Sequence, residues 1–122
     1  MLFNKPKATH LQTGENAELR ALKFLQCQGL QLLTTNYRCK AGELDLVMQE
    51  ADFLVIVEVR YRKSEQFGGA LASITRQKQL RIVSATQHYV IMHKLGHAAI
   101  RFDVVAISAD NSINWIKNAF QT

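Results

Sequence analysis

The chain has 122 residues, 48% of them hydrophobic, which suffices for one domain with one core. Fifteen Lys and Arg residues against ten Asp and Glu residues give a formal net charge of +5, which favours a polyanionic partner. We expect a cytoplasmic protein without membrane association, because neither the apolar core of a signal peptide nor a run of transmembrane length is present.

The two cysteines, Cys27 and Cys39, form no C-x-x-C pair. This pattern indicates neither a disulfide framework nor a zinc ribbon. We therefore expect two reduced thiols.

Residues 1–12 are predicted to form a flexible N-terminal arm, and residues 13–122 a single domain. The domain should begin with a helix from Gly14 to Gln28, because apolar residues recur there at the helical period and Gly29 is a suitable stop.

Three strands with short connections should follow as an antiparallel meander. After a loop over residues 62–73, a second long helix is predicted from the helical spacing of Leu80, Val83, Tyr89 and Val90, and then a fourth and a short fifth strand. A strand, a crossover helix and another strand predict that the third and fourth strands are parallel neighbours. The predicted strands are residues 30–38, 43–49, 53–61, 100–108 and 113–117, and the second helix is residues 74–93. The fold class is therefore α/β (α+β), with a mixed central sheet flanked by helices.

Two carboxylates occupy positions in these strands that normally hold apolar residues. Glu58 and Arg60 share one face of the third strand, and Asp45 faces the same side if the register of the hairpin allows it. Neighbouring carboxylates repel unless a cation or a proton intervenes, and Mg²⁺ is commonly held by one or two carboxylates together with phosphate oxygens. The alternative is a cross-strand salt-bridge cluster with a purely structural role.

Basic residues surround this position in the sequence and are candidates for phosphate contacts. Cations at the start of a helix oppose its macrodipole, and this placement is favourable if a phosphate docks there. The alternative is an ordinary solvated basic face. The candidate nucleic-acid-binding residues are Arg62, Lys63, Arg76, Lys78 and Arg81.

The pattern Asp45, twelve residues, Glu58-Val59-Arg60 resembles the D-x(n)-E-x-K signature of the restriction-endonuclease-like nucleases, with a spacing similar to that of archaeal Holliday junction resolvases. More closely, the segments TGENAE, NYRCKAGELDLVM, FLVIVEVRYRKSEQFGGALASITRQKQLRI and IRFDVVAI resemble the bacterial YraN-type family from Thr13 to Phe120. The resemblance implies a restriction-endonuclease-like core of order α-β-β-β-α-β.

The resemblance also implies roles for individual residues. Asp45 and Glu58 would bind the metal, Mg²⁺ or Mn²⁺, together with the carbonyl of Val59. Arg60 stands where the superfamily usually has lysine, and arginine stays charged at any working pH, so it cannot be a general base. It can still stabilise charge that develops on the phosphate.

The first helix contributes a further acid in the resolvases, at the fifth position of a G-x-x-x-E pattern. In GENAE this position is Glu18, which lies at the border of the apolar stripe, whereas Glu15 points farther towards solvent. Glu18 is therefore preferred. The alternative for both is an acidic first turn that favours the helix macrodipole.

The sequence therefore predicts a metal-dependent endonuclease acting on DNA, including branched or junction DNA. A non-catalytic nucleic-acid-binding or adaptor protein that retains the fold is the alternative, and a purely structural domain is a third hypothesis. The oligomeric state stays open, with a homodimer as one option.

Overall fold

The structure is a computed structural model that describes residues 10–62 and 69–121. It consists of a five-stranded mixed sheet with helices on both faces. None of the helices in these two ranges is both long enough and apolar enough to cross a membrane. The elements are α1 (His10–Cys27), β1 (Gln31–Cys39), β2 (Gly42–Glu50), β3 (Phe53–Arg62), α2 (Gly69–Ala72), α3 (Arg76–Met92), β4 (Ala99–Ser108) and β5 (Ile113–Phe120).

The strands lie side by side in the order β1-β2-β3-β4-β5. The first three form the expected antiparallel meander, and β5 is antiparallel to β4. β3 and β4 are parallel over their whole length, from Phe53↔Ala99 to Arg62↔Ser108. A parallel pair needs a long crossover connection, which α3 supplies. The predicted parallel neighbours and the mixed sheet flanked by helices are confirmed.

β3 is apolar on both faces because each face covers a separate core. Val55 and Val57 belong to a cluster packed under α1, which we call the α1-side core. Leu54 and Ile56 belong to the cluster packed under α3, the α3-side core. Burying each such side chain stabilises the fold by about 1.5–3 kcal/mol. The uninterrupted apolar run of this strand therefore reflects its position at the centre of the sheet.

α1 begins at His10, four residues before the predicted start at Gly14. No proline or other glycine lies between Pro6 and Gly14 to end the helix on that side. The helix therefore includes Gly14, although glycine inside a helix is about 1 kcal/mol less favourable than alanine. Residues 10–12 were assigned to the arm and belong to this helix instead. Residues 1–9 lie outside the described residues, so the rest of the predicted arm stays a prediction.

The segment between β3 and α3 also differs from the prediction. The short helix α2 lies in the stretch predicted as a loop. α3 begins two residues later than predicted because Thr75 is its N-cap, and Thr75 Oγ1 accepts a hydrogen bond from the Lys78 backbone N–H at 3.1 Å. Leu80, which helped to predict this helix, is 49% exposed. The buried residues of α3 are Ile82, Ala85, Thr86 and Tyr89.

The C-terminal strand is longer than the short strand predicted, and it is attached to β4 by an acid that the sequence did not single out. Asp103 is 1% exposed. It accepts two hydrogen bonds from the Arg101 guanidinium, one from Trp115 Nε1 and one from the Asn118 backbone N–H, all at 2.9 Å. Asn118 has a φ of 53°, and the β4–β5 register shifts between Phe102 and Val104. The buried carboxylate therefore fixes a bulge in the outer strand.

Replacing Asp103 with Asn should destabilise the protein by about 3–5 kcal/mol, because removing one partner of a buried ion pair leaves donors without a charged acceptor. Urea unfolding at neutral pH measures this loss. Asp52→Asn is the control, because Asp52 is an exposed aspartate in the turn between β2 and β3, and it should shift stability by at most about 0.5 kcal/mol. Equal effects of the two substitutions would contradict the structural role of Asp103.

Candidate functional site

Asp45 lies where β2 changes the face of the sheet that its side chains cover. Leu44 packs in the α3-side core and Leu46 in the α1-side core, although residues two apart in a regular strand share a face. Opposite them in β1, Asn36 lies between two regular cross-strand pairs and has a φ of 52°, a left-handed conformation that asparagine tolerates. The local irregularity of the two strands accompanies the placement of a carboxylate inside an otherwise apolar strand.

The Asp45 carboxylate is held against β3. Its Oδ2 accepts a hydrogen bond from the Val59 backbone N–H at 2.9 Å. Glu58, the preceding residue of β3, is on the α3 side of the sheet with only 6% of its side chain exposed. The two carboxyl groups are close enough for each to change the pKa of the other. The pair that the sequence proposed from the strand pattern is therefore brought together.

Two cations from different elements face this acid pair. Arg60 Nη2 lies 3.3 Å from Glu58 Oε2, and Lys78 Nζ lies 3.5 Å from the same oxygen. Lys78 belongs to the first turn of α3, and the Thr75 cap fixes the start of that turn. The Arg60 and Lys78 side chains are 26% and 39% exposed. The acids therefore lie at the bottom of the site and the cations at its rim.

Burial dominates the electrostatics of the acids. Burial, and next the neighbouring Asp45 carboxylate, raise the pKa of Glu58 to about 7, against the opposing effect of Lys78 and Arg60. Burial also raises the pKa of Asp45, although the Val59 hydrogen bond and the two cations oppose the shift. At neutral pH the site therefore gains from any further positive charge that arrives between the carboxylates.

Arg60 retains one donor for another molecule or segment. Its Nε is buried, and no acceptor among residues 10–62 and 69–121 forms a hydrogen bond with it. A buried donor without an acceptor costs free energy. An acceptor that enters the site beside Glu58 would remove this cost.

The donor set is suited to a hard divalent cation. Carboxylate oxygens are the ligands that Mg²⁺ prefers, and Mg²⁺ is usually bound through one or two carboxylates plus waters and phosphate oxygens. In the part of the chain that the structure describes, no group of three or more His, Cys, Asp or Glu side chains is arranged to hold a metal ion. Within the described ranges, an ion held by Asp45 and Glu58 would therefore need backbone carbonyls, waters or phosphate oxygens as its further ligands.

The amino-acid sequence matches the uncharacterised protein family UPF0102 over residues 17–107, which is most of the chain. The chain belongs to the UPF0102 family. The YraN-type resemblance is thereby confirmed at the level of the family. All four site residues, Asp45, Glu58, Arg60 and Lys78, lie within the matched range.

Similar UPF0102 proteins occur in several bacteria and match over nearly their whole length. The UPF0102 protein of Saccharophagus degradans is 54% identical and covers 93% of this chain and 96% of its own. The relative in Pseudomonas fluorescens is 49% identical, with coverage of 96% and 99%, and the relative in Legionella pneumophila is 48% identical, with coverage of 89% and 94%. The domain described here therefore makes up most of each of these relatives.

Glu18, the predicted helix acid of this UPF0102 chain, lies on the α1 side of the sheet. It is partly buried and lines a cavity of about 190 Å³ with Leu22, Asn36 and Leu46 among its other walls. Leu46 and Asn36 flank the irregularity that positions Asp45. Glu18 therefore lies beside the strands that hold the acid pair, while the pair itself faces α3. The side chain of Glu15 lies outside the described residues.

The predicted basic residues occupy three different situations. Lys78 contacts the acid pair directly, and Arg62 is partly buried at the end of β3. Arg76 and Arg81 are exposed on α3. Lys63 lies outside the described residues.

The sequence predicted Lys78 as a phosphate contact, which stays a prediction, but did not predict its ion pair with Glu58. The prediction of a phosphate contact came from the cations in the first turns of α3. The first turn contains no acidic residue, which would interact favourably with the helix macrodipole. This pattern shows that an anion belongs near the helix start. It does not show that Glu58, on a strand twenty residues away in the sequence, supplies part of that negative charge.

The raised pKa of Glu58 predicts a stability profile for the metal-free protein. Between its ordinary value of 4.5 and about 7, the folded state binds a proton that the unfolded state releases, so the free energy of unfolding should fall as the pH rises through this range. Glu58→Gln should make this decrease in the free energy of unfolding smaller by about 1 kcal/mol or more. Urea unfolding in EDTA at about pH 5 and about pH 8 measures the free energy of unfolding of the wild type and of the variant.

The control is Glu43→Gln, which removes a glutamate with 58% of its side chain exposed from the same sheet. This variant should retain the wild-type decline. A Glu58→Gln profile parallel to that of the wild type would show that Glu58 does not titrate in this range.

Proposed function

We propose that this UPF0102 protein is a metal-dependent endonuclease that hydrolyses phosphodiester bonds in DNA, with branched or junction DNA among its candidate substrates. The observation that carries the proposal is the buried Asp45–Glu58 pair, which has Arg60 and Lys78 at its rim. Buried neighbouring acids with perturbed pKa values are a mark of functional sites. Two cations beside them provide a complementary environment for a phosphate group.

The proposal also draws on the resemblance to the restriction-endonuclease-like nucleases. Along the chain, α1, the meander β1 to β3, α3 and β4 give the α-β-β-β-α-β order expected of that superfamily, with β5 added at the edge. The D-x(n)-E-x-R pattern falls on β2 and β3, and its two acids converge. Fold order and site geometry therefore support the same hypothesis.

In this proposal Asp45 and Glu58 would hold Mg²⁺ or Mn²⁺, with the carbonyl of Val59 as a further oxygen ligand. A bound divalent ion supplies a more acidic water and positive charge next to the phosphate. Asp45 would be oriented for this role by the Val59 N–H, which fixes the position of its Oδ2. Because the pKa of Glu58 is raised to about 7, part of the protein carries a proton on this group at neutral pH, and that proton must leave when a cation binds.

Arg60 and Lys78 would bind the phosphate that reacts. Both now pair with Glu58, and positive charge between the carboxylates would weaken these ion pairs and free the cations for the substrate. The buried Nε of Arg60 offers a donor in addition to the Nη2 that contacts Glu58. Arginine cannot accept a proton at working pH, so its role would be to stabilise negative charge on the phosphate.

A non-catalytic nucleic-acid-binding or adaptor protein is the second candidate, and one observation favours it. Asp45 and Glu58 face Arg60 and Lys78, so the site carries as many cations as acids. A balanced cluster of this kind is stable without a metal, as expected of a nuclease fold that has lost its chemistry. The two candidates differ in whether a divalent ion binds and whether DNA is cut.

The direct test is to incubate the purified protein with linear, single-stranded, flapped and four-way DNAs in Mg²⁺ or Mn²⁺. We expect cutting of at least one substrate, loss of cutting in EDTA, and loss of cutting by Asp45→Asn. Gel electrophoresis of labelled strands measures the products. If the wild type leaves every substrate intact, or if Asp45→Asn cuts equally well, the endonuclease proposal is wrong.

Metal binding is testable without any substrate. Titration calorimetry with Mn²⁺ should give a binding heat for the wild type and a strongly reduced heat for Asp45→Asn and for Glu58→Gln, because each variant removes a charged oxygen ligand. Glu43→Gln is the control and should bind as the wild type does. Unchanged heats in the two site variants would place the ion elsewhere on the protein.

Arg60 separates the two candidate functions. If it stabilises charge on the reacting phosphate, Arg60→Ala should lower cleavage by about 100-fold or more, the scale of losing one preorganised donor. DNA affinity should change little, and Arg60→Lys should keep most of the activity because the positive charge is retained. Single-turnover cleavage and binding assays measure the two effects separately. Equal cleavage by Arg60→Ala and the wild type would confine Arg60 to its ion pair with Glu58.

A further inference from the structure

We infer that the turn between β1 and β2, together with Arg81 of α3, forms a second phosphate-binding surface, which holds the DNA strand where it leaves the acid pair. This turn–helix surface consists of Lys40, Gly42 and Arg81. The inference rests on the proposed function in one respect, because it takes DNA as the partner. It adds the β1–β2 turn to the DNA-binding surface, because none of the binding residues predicted from the sequence lies in that turn.

The turn is held directly against α3. A Cβ atom added at Gly42 would lie 3.1 Å from the Arg81 carbonyl oxygen and 3.3 Å from Arg81 Cβ. Real Cβ atoms rarely approach backbone so closely, so the absence of a side chain at Gly42 allows this contact. The start of the Arg81 side chain is therefore fixed next to the turn that carries Lys40.

The charges of this surface are of one sign. Lys40 and Arg81 are both exposed. α3 carries Arg76, Lys78 and Arg81 and no acidic residue anywhere in its sequence. Cations near the start of a helix oppose the macrodipole, so this arrangement is favourable when a polyanion covers it.

The nearest acid of the hairpin points away from this surface. Glu43 pairs with Arg38 across the strands, at 3.6 Å between Oε1 and Nε. The neighbouring Cys39 and Leu44 pack against the α3-side core, and alternation places Arg38 and Glu43 on the opposite face. Arg38 is therefore a cation of the same hairpin that does not belong to the turn–helix surface.

The surface lies at a suitable distance from the acid pair. Lys78 contacts Glu58, and Arg81 follows three residues later on the same helix, a rise of about 4.5 Å. Successive nucleotides of a DNA strand rise by about 3.4 Å. A strand that runs along α3 from a phosphate at Lys78 would bring its next phosphates over Arg81 and the turn.

The test compares Lys40→Gln and Arg81→Gln with the matched control Arg38→Gln. Binding of duplex DNA is measured by fluorescence anisotropy in EDTA at several salt concentrations between about 50 and 200 mM. Each surface variant should reduce the slope of log K against log salt by about 0.9, and the double variant by about 1.8, because one phosphate contact is lost per residue. Arg38→Gln should retain the wild-type slope. Unchanged slopes in the surface variants, or an equal decrease in the control, would overturn the inference.

Gly42→Ala tests the packing of the turn without changing charge. The added methyl group must push the turn away from Arg81, so DNA affinity should fall severalfold while the thermal unfolding midpoint shows that the protein is folded. Gly96→Ala is the control, since nothing lies within 4 Å of a Cβ atom at that position. A folded Gly42→Ala protein with wild-type DNA affinity would show that the packing of the β1–β2 turn against Arg81 does not contribute to DNA binding.

The outcomes distinguish this inference from the proposed function. Cutting of DNA with unchanged salt slopes would overturn the inference and leave the endonuclease proposal. Reduced slopes in a protein that cuts no DNA would support the surface and overturn the catalytic proposal. Failure to bind any duplex, or preference for anionic vesicles over DNA, would overturn the inference.

Discussion

The burial of two adjacent carboxylates is the constraint on which the rest of the site depends. Asp45 and Glu58 come from the neighbouring inner strands β2 and β3 and are removed from water within an otherwise apolar sheet. Burial raises the pKa of both carboxyl groups, and the Asp45 carboxylate raises the pKa of Glu58 further. The fold compensates with one backbone N–H, one guanidinium and one ammonium, each supplied by a different part of β3 or α3. A site built in this way is prepared for added positive charge.

Most of the fold could be predicted from local patterns. The apolar run from Phe53 to Val57 marked the central strand, and the crossover rule predicted the parallel pairing of β3 and β4. The start of α1 was wrong because Gly14 was taken as a boundary and is tolerated inside the helix. The four-residue helix α2 was missed because such a short segment has no periodicity to detect.

The candidate site could be predicted only in part. The acids and Arg60 were identified because charged residues interrupt strands that are otherwise apolar. The ion pair between Lys78 and Glu58 depends on how α3 is placed on the sheet, which sequence spacing does not encode. The role of Asp103 was missed for a similar reason, because its partners Trp115 and Asn118 come from another strand across a bulge. Residues that interact through register and packing are visible only in the folded chain.

The bulge that Asp103 fixes in β5 has a further consequence for how molecules of this protein meet one another. β1 and β5 are the outer strands of the sheet, and a regular outer strand exposes backbone donors and acceptors that can pair with a second sheet. Register shifts interrupt both of them, between Leu32 and Thr34 in β1 and between Ile116 and Phe120 in β5, opposite Phe102 and Val104 of β4. An interrupted strand is a poor template for continuous pairing. The buried Asp103 therefore makes the β5 edge a less regular template for pairing with a second sheet.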